Sequence, residues 1–228
     1  MRCSGQGNQK ALATKIHKEV TLDYLVVFKF REKRLRHLNQ YVNRLSRAFN
    51  ALCTFFIYRK VWFGMMRHYE ARYPRFPITP TITTDDINHS SVIDLILRCK
   101  PTLVVVSGTN LLKEPLIEAI KKTGAVLNLH TGISPYVKGG PNCTNWCLYN
   151  RRFDLIGNTI MWLDKGIDSG AIITTERTPL TGRESLIELH LKVMDHAHNL
   201  YVRAVCKYVA GEQLPNVPQG TLGAGTLY

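Results

Sequence analysis

Apolar positions recur in two rhythms along this chain, and the switching between them predicts its architecture. Leu22 to Phe30 is an apolar run rich in Val and Phe, Leu103 to Ser107 carries a Val104-Val105-Val106 core, and Ala125 to His130 follows the same habit. Each predicts a buried strand. Between them the spacing changes to threes and fours, predicting helices over Asn8 to His17, Asp86 to Arg98 and Lys113 to Lys121, with a short extended piece near Ile78 to Thr83. Strands that alternate with helices of about ten residues predict an α/β fold, a mostly parallel sheet with helices on both faces. A loop rich in Gly and Pro, Thr131 to Pro141, leads into a helix around Thr144 to Tyr149. The strands Asn158 to Leu163 and Ala171 to Glu176 lie close enough in sequence to predict an antiparallel pair at one side of the sheet. Thr181 with Glu184 predicts a capping box for a last helix running from Leu186 past Tyr208 to a stop at Gly211. The Gly- and Pro-rich tail, Pro215 to Tyr228, is expected on the surface.

Residues 31 to 75 interrupt this pattern. Leu35, Leu38, Val42, Leu45, Phe49, Leu52 and Phe56 form one helical seam, which breaks at Arg59 before a shorter helical piece runs towards Pro74. With 228 residues, 45% apolar and 21% charged, the chain is expected to be one domain over 1–228 with a helical insertion at 31–75. The same figures exclude a disordered chain, a collagen and a disulfide miniprotein.

Charge sharpens the picture. The formal net is +13, and the insertion holds eleven basic residues against two acidic ones, so it carries +9 of that excess. The remainder is an ordinary domain. Two readings of the insertion stay open: a hairpin whose seam packs on the domain or mediates self-association, or a basic amphipathic helix on an anionic membrane surface. In the second, Phe49, Phe55, Phe56, Trp62 and Phe63 would insert. Nucleic acid is disfavoured, because no recognised fold or aromatic platform accompanies the charge. The six cysteines are scattered without a CxxC pair and no signal peptide precedes them, so a cytoplasmic protein with reduced thiols is expected, peripheral to a membrane in the second reading. Cys143 and Cys147 share a spacing of four but have no second pair of ligands, so no metal is expected.

Asn128 and His130 point to the same face of a strand at its carboxyl end, just before a Gly-rich loop, which is where open α/β sheets build sites. Spacing alone leaves open that His130 is a satisfied core histidine and Asp168 a turn former.

The surrounding motifs resemble the folate-dependent formyltransferases. Asn128-Leu129-His130 with Pro135-Tyr136-Val137-Lys138-Gly139 is similar to that family's Asn-x-His and Pro-x-Tyr/Phe-x-Gly run. Gly157-Asn158-Thr159-Ile160 and Asp168-Ser169-Gly170-Ala171-Ile172-Ile173 are similar to its Gly-x-Thr-Val strand and Asp-x-Gly-x-Ile-Ile turn. The resemblance implies a Rossmann-like formyltransferase domain moving a formyl group from 10-formyltetrahydrofolate to the amine of a small, phosphorylated or nucleotide-sugar substrate. It implies that Asn128, His130 and Asp168 are catalytic, that Gly108, Thr109, Asn110 and Leu111 meet the folate, and that Gly5, Gly7, Asn8, Tyr136 and Gly139 meet the substrate. The chemistry suits these residue types: Asn128 and a protonated His130 can donate to a developing oxyanion, while a carboxylate at Asp168 favours the charged imidazole and takes the amine proton. A deformylase that uses water in place of the amine, or a retired enzyme serving as a folate-fold binding module, are the alternatives.

Three departures from the family pattern stand out. Thr131-Gly132-Ile133-Ser134-Pro135 replaces its Pro-Ser-Leu-Leu-Pro, and Met161 stands where many members have a second histidine. Only Met1-Arg2-Cys3-Ser4 precede the first turn, too little for the leading strand the resemblance implies. Restoring about six apolar residues upstream is expected to raise the melting temperature.

Overall fold

The computed structural model describes residues 7–29, 60–139, 143–223 and 225–227. The Leu35 to Phe56 seam and Gly5 lie outside them. In chain order the elements are α1 (Gly7–Glu19), β1 (Leu25–Phe28), α2 (60–72), β2 (Thr81–Thr84), α3 (Ser90–Cys99), β3 (Leu103–Val106) and α4 (Glu114–Lys121). They continue through β4 (Ala125–His130), β5 (Val137–Lys138), α5 (Cys143–Tyr149), β6 (Gly157–Trp162), β7 (Ile172–Arg177), α6 (Leu186–Val209) and β8 (Thr226–Leu227).

β3 and β4 pair in parallel, and β6 and β7 follow antiparallel in the order β3-β4-β6-β7. The expected antiparallel pair is therefore β6 with β7, and it makes this sheet mixed. β1 pairs in parallel with β2 as a separate ribbon. Alternation along β4 feeds two cores: Val126 packs with Val92, Ile96, Leu116 and Ile120 of α3 and α4, while Leu127 packs with Leu12, Ile16, Leu200 and Tyr201 of α1 and α6. Helices thus cover both faces.

One helix start and one helix cap differ from the sequence pattern, each because a polar turn intervenes. The Asp86 carboxylate accepts from Asn88 N at 3.0 Å and His89 caps Ser91 N, so α3 begins at Ser90 rather than Asp86. Thr181 and Glu184 do bond one another, but Gly182 takes φ 78°, and the box that opens α6 is Ser185 with Glu188. The tail also departs from a plain surface loop. Val217 bridges Ile172 through two backbone bonds, Gln219 is buried, and β8 pairs with β5.

α2 is the described part of the basic insertion. Its Met65 and Tyr69 are buried with Ala11, and Trp62, Met66, Leu191 and Met194 pack around them. Trp62 therefore faces protein, while Arg67 and Arg72 point to solvent. An ion pair between Lys10 and Glu70 and a bond from the Tyr69 hydroxyl to Asp195 Oδ1 at 3.0 Å tie α2 to α1 and α6.

A cavity of about 670 Å³ separates β1 from β3, lined by Val26, Phe28, Val104 and Val105 and floored by α1 and α3. Among the described residues no strand lies between these two edges. A four-residue strand one sheet layer thick fills roughly 600 Å³, so the cavity has the dimensions of one more strand of the length of β1 and β3.

His198 of α6 lies against Tyr69, and its Nδ1 has no hydrogen-bond partner among the described residues. Burial, helped by Lys15 and opposed by Asp195, pushes it from 6.5 down to about 3. The folded chain keeps this ring neutral while the unfolded chain takes up a proton below about 6.5, so stability is full above that value and falls as pH drops towards 3. By about pH 5 the loss from this ring is about 2 kcal/mol. A His198→Gln variant is expected to show a flatter dependence of its urea midpoint on pH between about 7 and 5. Equal slopes for the two chains would remove His198 from the account.

Candidate active site

The carboxyl end of β4 carries both Asn128 and His130, and the β6–β7 connection brings Asp168 against them. His130 Nδ1 lies 3.2 Å from Asp168 Oδ2, and Asn128 Nδ2 donates to Asp168 Oδ1 at 3.4 Å. The Gly139 amide donates to Oδ2 at 3.1 Å. All three residues singled out in the sequence therefore meet at one carboxylate. Asp168 reaches this position with φ 47°, a left-handed conformation that Asp tolerates better than most side chains.

His130 is only 6% exposed, and its second nitrogen, Nε2, lies 2.8 Å from the Val137 carbonyl oxygen. A carbonyl and a carboxylate both only accept. Each ring nitrogen therefore faces an acceptor. Gly132 is required here because a Cβ would run into the ring at Nε2. Thr159, opposite His130 in β6, fixes the same loop: its hydroxyl donates to Gly132 O at 2.7 Å and accepts from Ser134 N at 3.0 Å. At the end of β3 the Tyr201 hydroxyl accepts from Val106 N and donates to Leu127 O, tying β3 to β4 next to Asn128.

Cys143 opens α5 with its sulfur 3.9 Å from His130 Nε2 and within 3.7 Å of Gly139 O. Burial, reinforced by the Asp168 charge, pushes this thiol up to about 12, so it stays protonated and serves as a weak donor. Cys147 bonds instead to Leu155 O. The sequence marks Cys143 only by its spacing of four from Cys147, which says nothing of its place beside His130.

The other sequence-derived positions are spread around this centre. Gly108, with φ 63°, follows β3 beside Asn128, and Gln9 of α1 packs on it. Thr109 and Asn110 continue the loop, and Leu111 is 59% exposed. Gly7 and Asn8 are buried at the start of α1, where a Cβ on Gly7 would crowd the Glu70 backbone and Tyr69 of α2. Tyr136 is exposed and turns its hydroxyl to Leu222 O, whereas Gly139 belongs to the Asp168 cluster. Met161 accepts a weak contact at its sulfur from Gln219, a residue that sequence reading passed over.

The architecture is that of solved formyl-group transferases. Phosphoribosylglycinamide formyltransferase from Anaplasma phagocytophilum superposes with a TM-score of 0.58 at 17% identity, covering 99% of this chain and 96% of that one. The formyltransferase PseJ from Anoxybacillus kamchatkensis, solved with UDP-4,6-dideoxy-4-formamido-L-AltNAc and tetrahydrofolate, gives 0.51 at 18% identity over 65% of this chain and 75% of that one. These likenesses establish a Rossmann-like formyltransferase fold. The model of the formyl transferase family matches residues 6–205, and the chain belongs to that family. A methionyl-tRNA formyltransferase of Finegoldia magna is 30% identical over 128 residues, which is 56% of this chain and 40% of that protein. Its counterpart in Syntrophus aciditrophicus is 26% identical over 140 residues, 61% of this chain and 44% of that protein. The chain thus spans less than half the length of these curated relatives. No described helix is long and apolar enough to cross a membrane.

Proposed function

We propose that the chain transfers a formyl group from 10-formyltetrahydrofolate to the amine of a small molecule, with Asn128, His130 and Asp168 as its catalytic residues. The observation that carries this reading is their meeting at the Asp168 carboxylate, in a domain of the formyl transferase family. The folate supplies the activated formyl group. Gly108, Thr109 and Asn110 would hold it through their backbone, and exposed Leu111 offers an apolar surface to its ring, all at the end of the strand beside Asn128. Asn128 has one amide proton to spare after its long bond to Asp168 and donates it to the formyl oxygen as negative charge develops there. His130 supports the same charge from behind. Its Nε2 proton is held by Val137, so its main contribution is the positive ring. The attacking amine gives up a proton, which Asp168 takes directly or through water; the formyl carbon–N10 bond of the donor then breaks, and N10 takes up that proton as tetrahydrofolate leaves.

The test is to incubate the purified protein with 10-formyltetrahydrofolate, with and without acceptors such as glycinamide ribonucleotide and an amino-sugar nucleotide. Consumption of the donor that depends on the amine and leaves a formamide is the expected result. Formate release without any amine would replace transfer by hydrolysis, and failure to bind the folate would leave a retired domain.

A further inference from the structure

We propose that Gln219 is a positioning residue for Asp168, holding the turn from which the carboxylate reaches its three donors; the inference rests on the proposed role of Asp168. Gln219 opens a short turn, Gln219–Thr221, and is only 6% exposed. Its Nε2 donates to the Asp168 carbonyl at 2.8 Å and to the Gly170 carbonyl at 2.7 Å. Both amide protons are spent on one three-residue turn. Its Oε1, buried as well, has no hydrogen-bond partner among the described residues. Buried polar atoms are nearly always satisfied, so a side chain that satisfies only its donor end is held there for what it donates.

The turn is also held from within, where Ser169 Oγ donates to Asp164 Oδ1, and from β6, where Trp162 N donates to Ala171 O, but those bonds leave the Asp168 and Gly170 carbonyls to Gln219. Asp168 sits at φ 47°, where L side chains rarely stay without support. Its carbonyl and that of Gly170 converge on one point, which is repulsive unless a donor stands between them. On the other side Gly170 is pressed so closely to the Trp162 carbonyl that no side chain fits. The turn is thus clamped between the end of β6 and one amide group. If that group is removed, the natural relaxation is for Asp168 to return to negative φ, swinging its carboxylate away from His130, Asn128 and Gly139. Gln219 is delivered to this spot by the paired Val217 and Ile172 and by the Trp162 indole, which donates to Pro215 O at 3.0 Å. Gln219 itself touches no reacting atom, so its effect passes entirely through Asp168.

Gln219→Met keeps length and apolar volume but removes both donors. The expected result is a folded protein with kcat lowered about 10²-fold and KM for the formyl donor nearly unchanged, since a misplaced catalytic group of this kind costs about that factor. The second readout is the NMR signal of the His130 Nδ1 proton, which should lose its downfield, carboxylate-bonded position in the variant. A folded Gln219→Met chain with that signal and kcat both as in the wild type overturns the proposal. In the unaltered protein the Gln219 side-chain amide protons should exchange slowly with solvent; rapid exchange overturns the proposal whether or not the variant folds. Both NMR measurements are independent of turnover. A chain with no formyl transfer but with protected Gln219 protons and a Gln219-dependent His130 signal would therefore defeat the functional reading and leave the positioning intact.

Discussion

Asp168→Asn is expected to lower kcat/KM for formyl transfer about 10³-fold while the fold survives. The substitution conserves shape, so packing around the turn is unchanged. What it removes is the carboxylate beside His130 and, in the proposed mechanism, the acceptor for the amine proton. It also introduces an NH2 group where three donors converge, those of His130, Asn128 and Gly139, so one donor must face another. Loss of the proton acceptor alone costs 10²- to 10⁴-fold in comparable general-base sites, about 3 to 5 kcal/mol. Steady-state kinetics with a saturating amine will check this, with circular dichroism to confirm the fold. A fall of less than tenfold would place the proton acceptor elsewhere.

A chain carrying six apolar, strand-forming residues ahead of Met1 is expected to melt about 5 to 10 °C higher. The cavity between β1 and β3 has the volume of a strand, apolar walls from both neighbours, and α1 beneath it. Gln9, near the start of α1, packs on Gly108 at the carboxyl end of β3. A segment running parallel to β1 and β3 would leave the slot close to where α1 begins, the short right-handed path a strand takes into its following helix. Each apolar side chain buried there contributes about 1.5 to 3 kcal/mol against about 1.5 kcal/mol of ordering entropy per residue, so the balance favours insertion. A Gly-Ser extension of equal length is the control. Equal melting temperatures for the two extended chains would show that the slot does not take a strand.

Much of this was legible in the sequence because it is periodic. Ala125 to His130 forms a strand with the bounds its pattern indicates, and the parity that places Asn128 and His130 on one face brings both to Asp168. The centre of α6 follows its spacing equally well. Its cap does not, because Thr181-x-x-Glu184 and Ser185-x-x-Glu188 are equally good caps and only the left-handed Gly182 between them decides which opens the helix. The tail was illegible for a deeper reason. Gly and Pro announce turns without saying what the turns lie against, and the burial of Gln219 depends on a strand pairing with Ile172 some forty-five positions earlier. Cys143 was visible only through its spacing from Cys147, since its place beside His130 comes from the packing of α5 and not from any repeat.

That tail reaches both of the acceptors that grip His130. β8 pairs with β5, which contains Val137, and Gln219 binds the turn of Asp168. Residues 215–227 are translated after every other described part of the cluster. A nascent chain still lacking them has Asn128, His130 and Asp168 but neither the β5–β8 pairing nor the Gln219 bonds that steady the partners of His130. A chain cut before residue 215 would keep the cluster's own residues and lose both of these outer holds on the partners of His130.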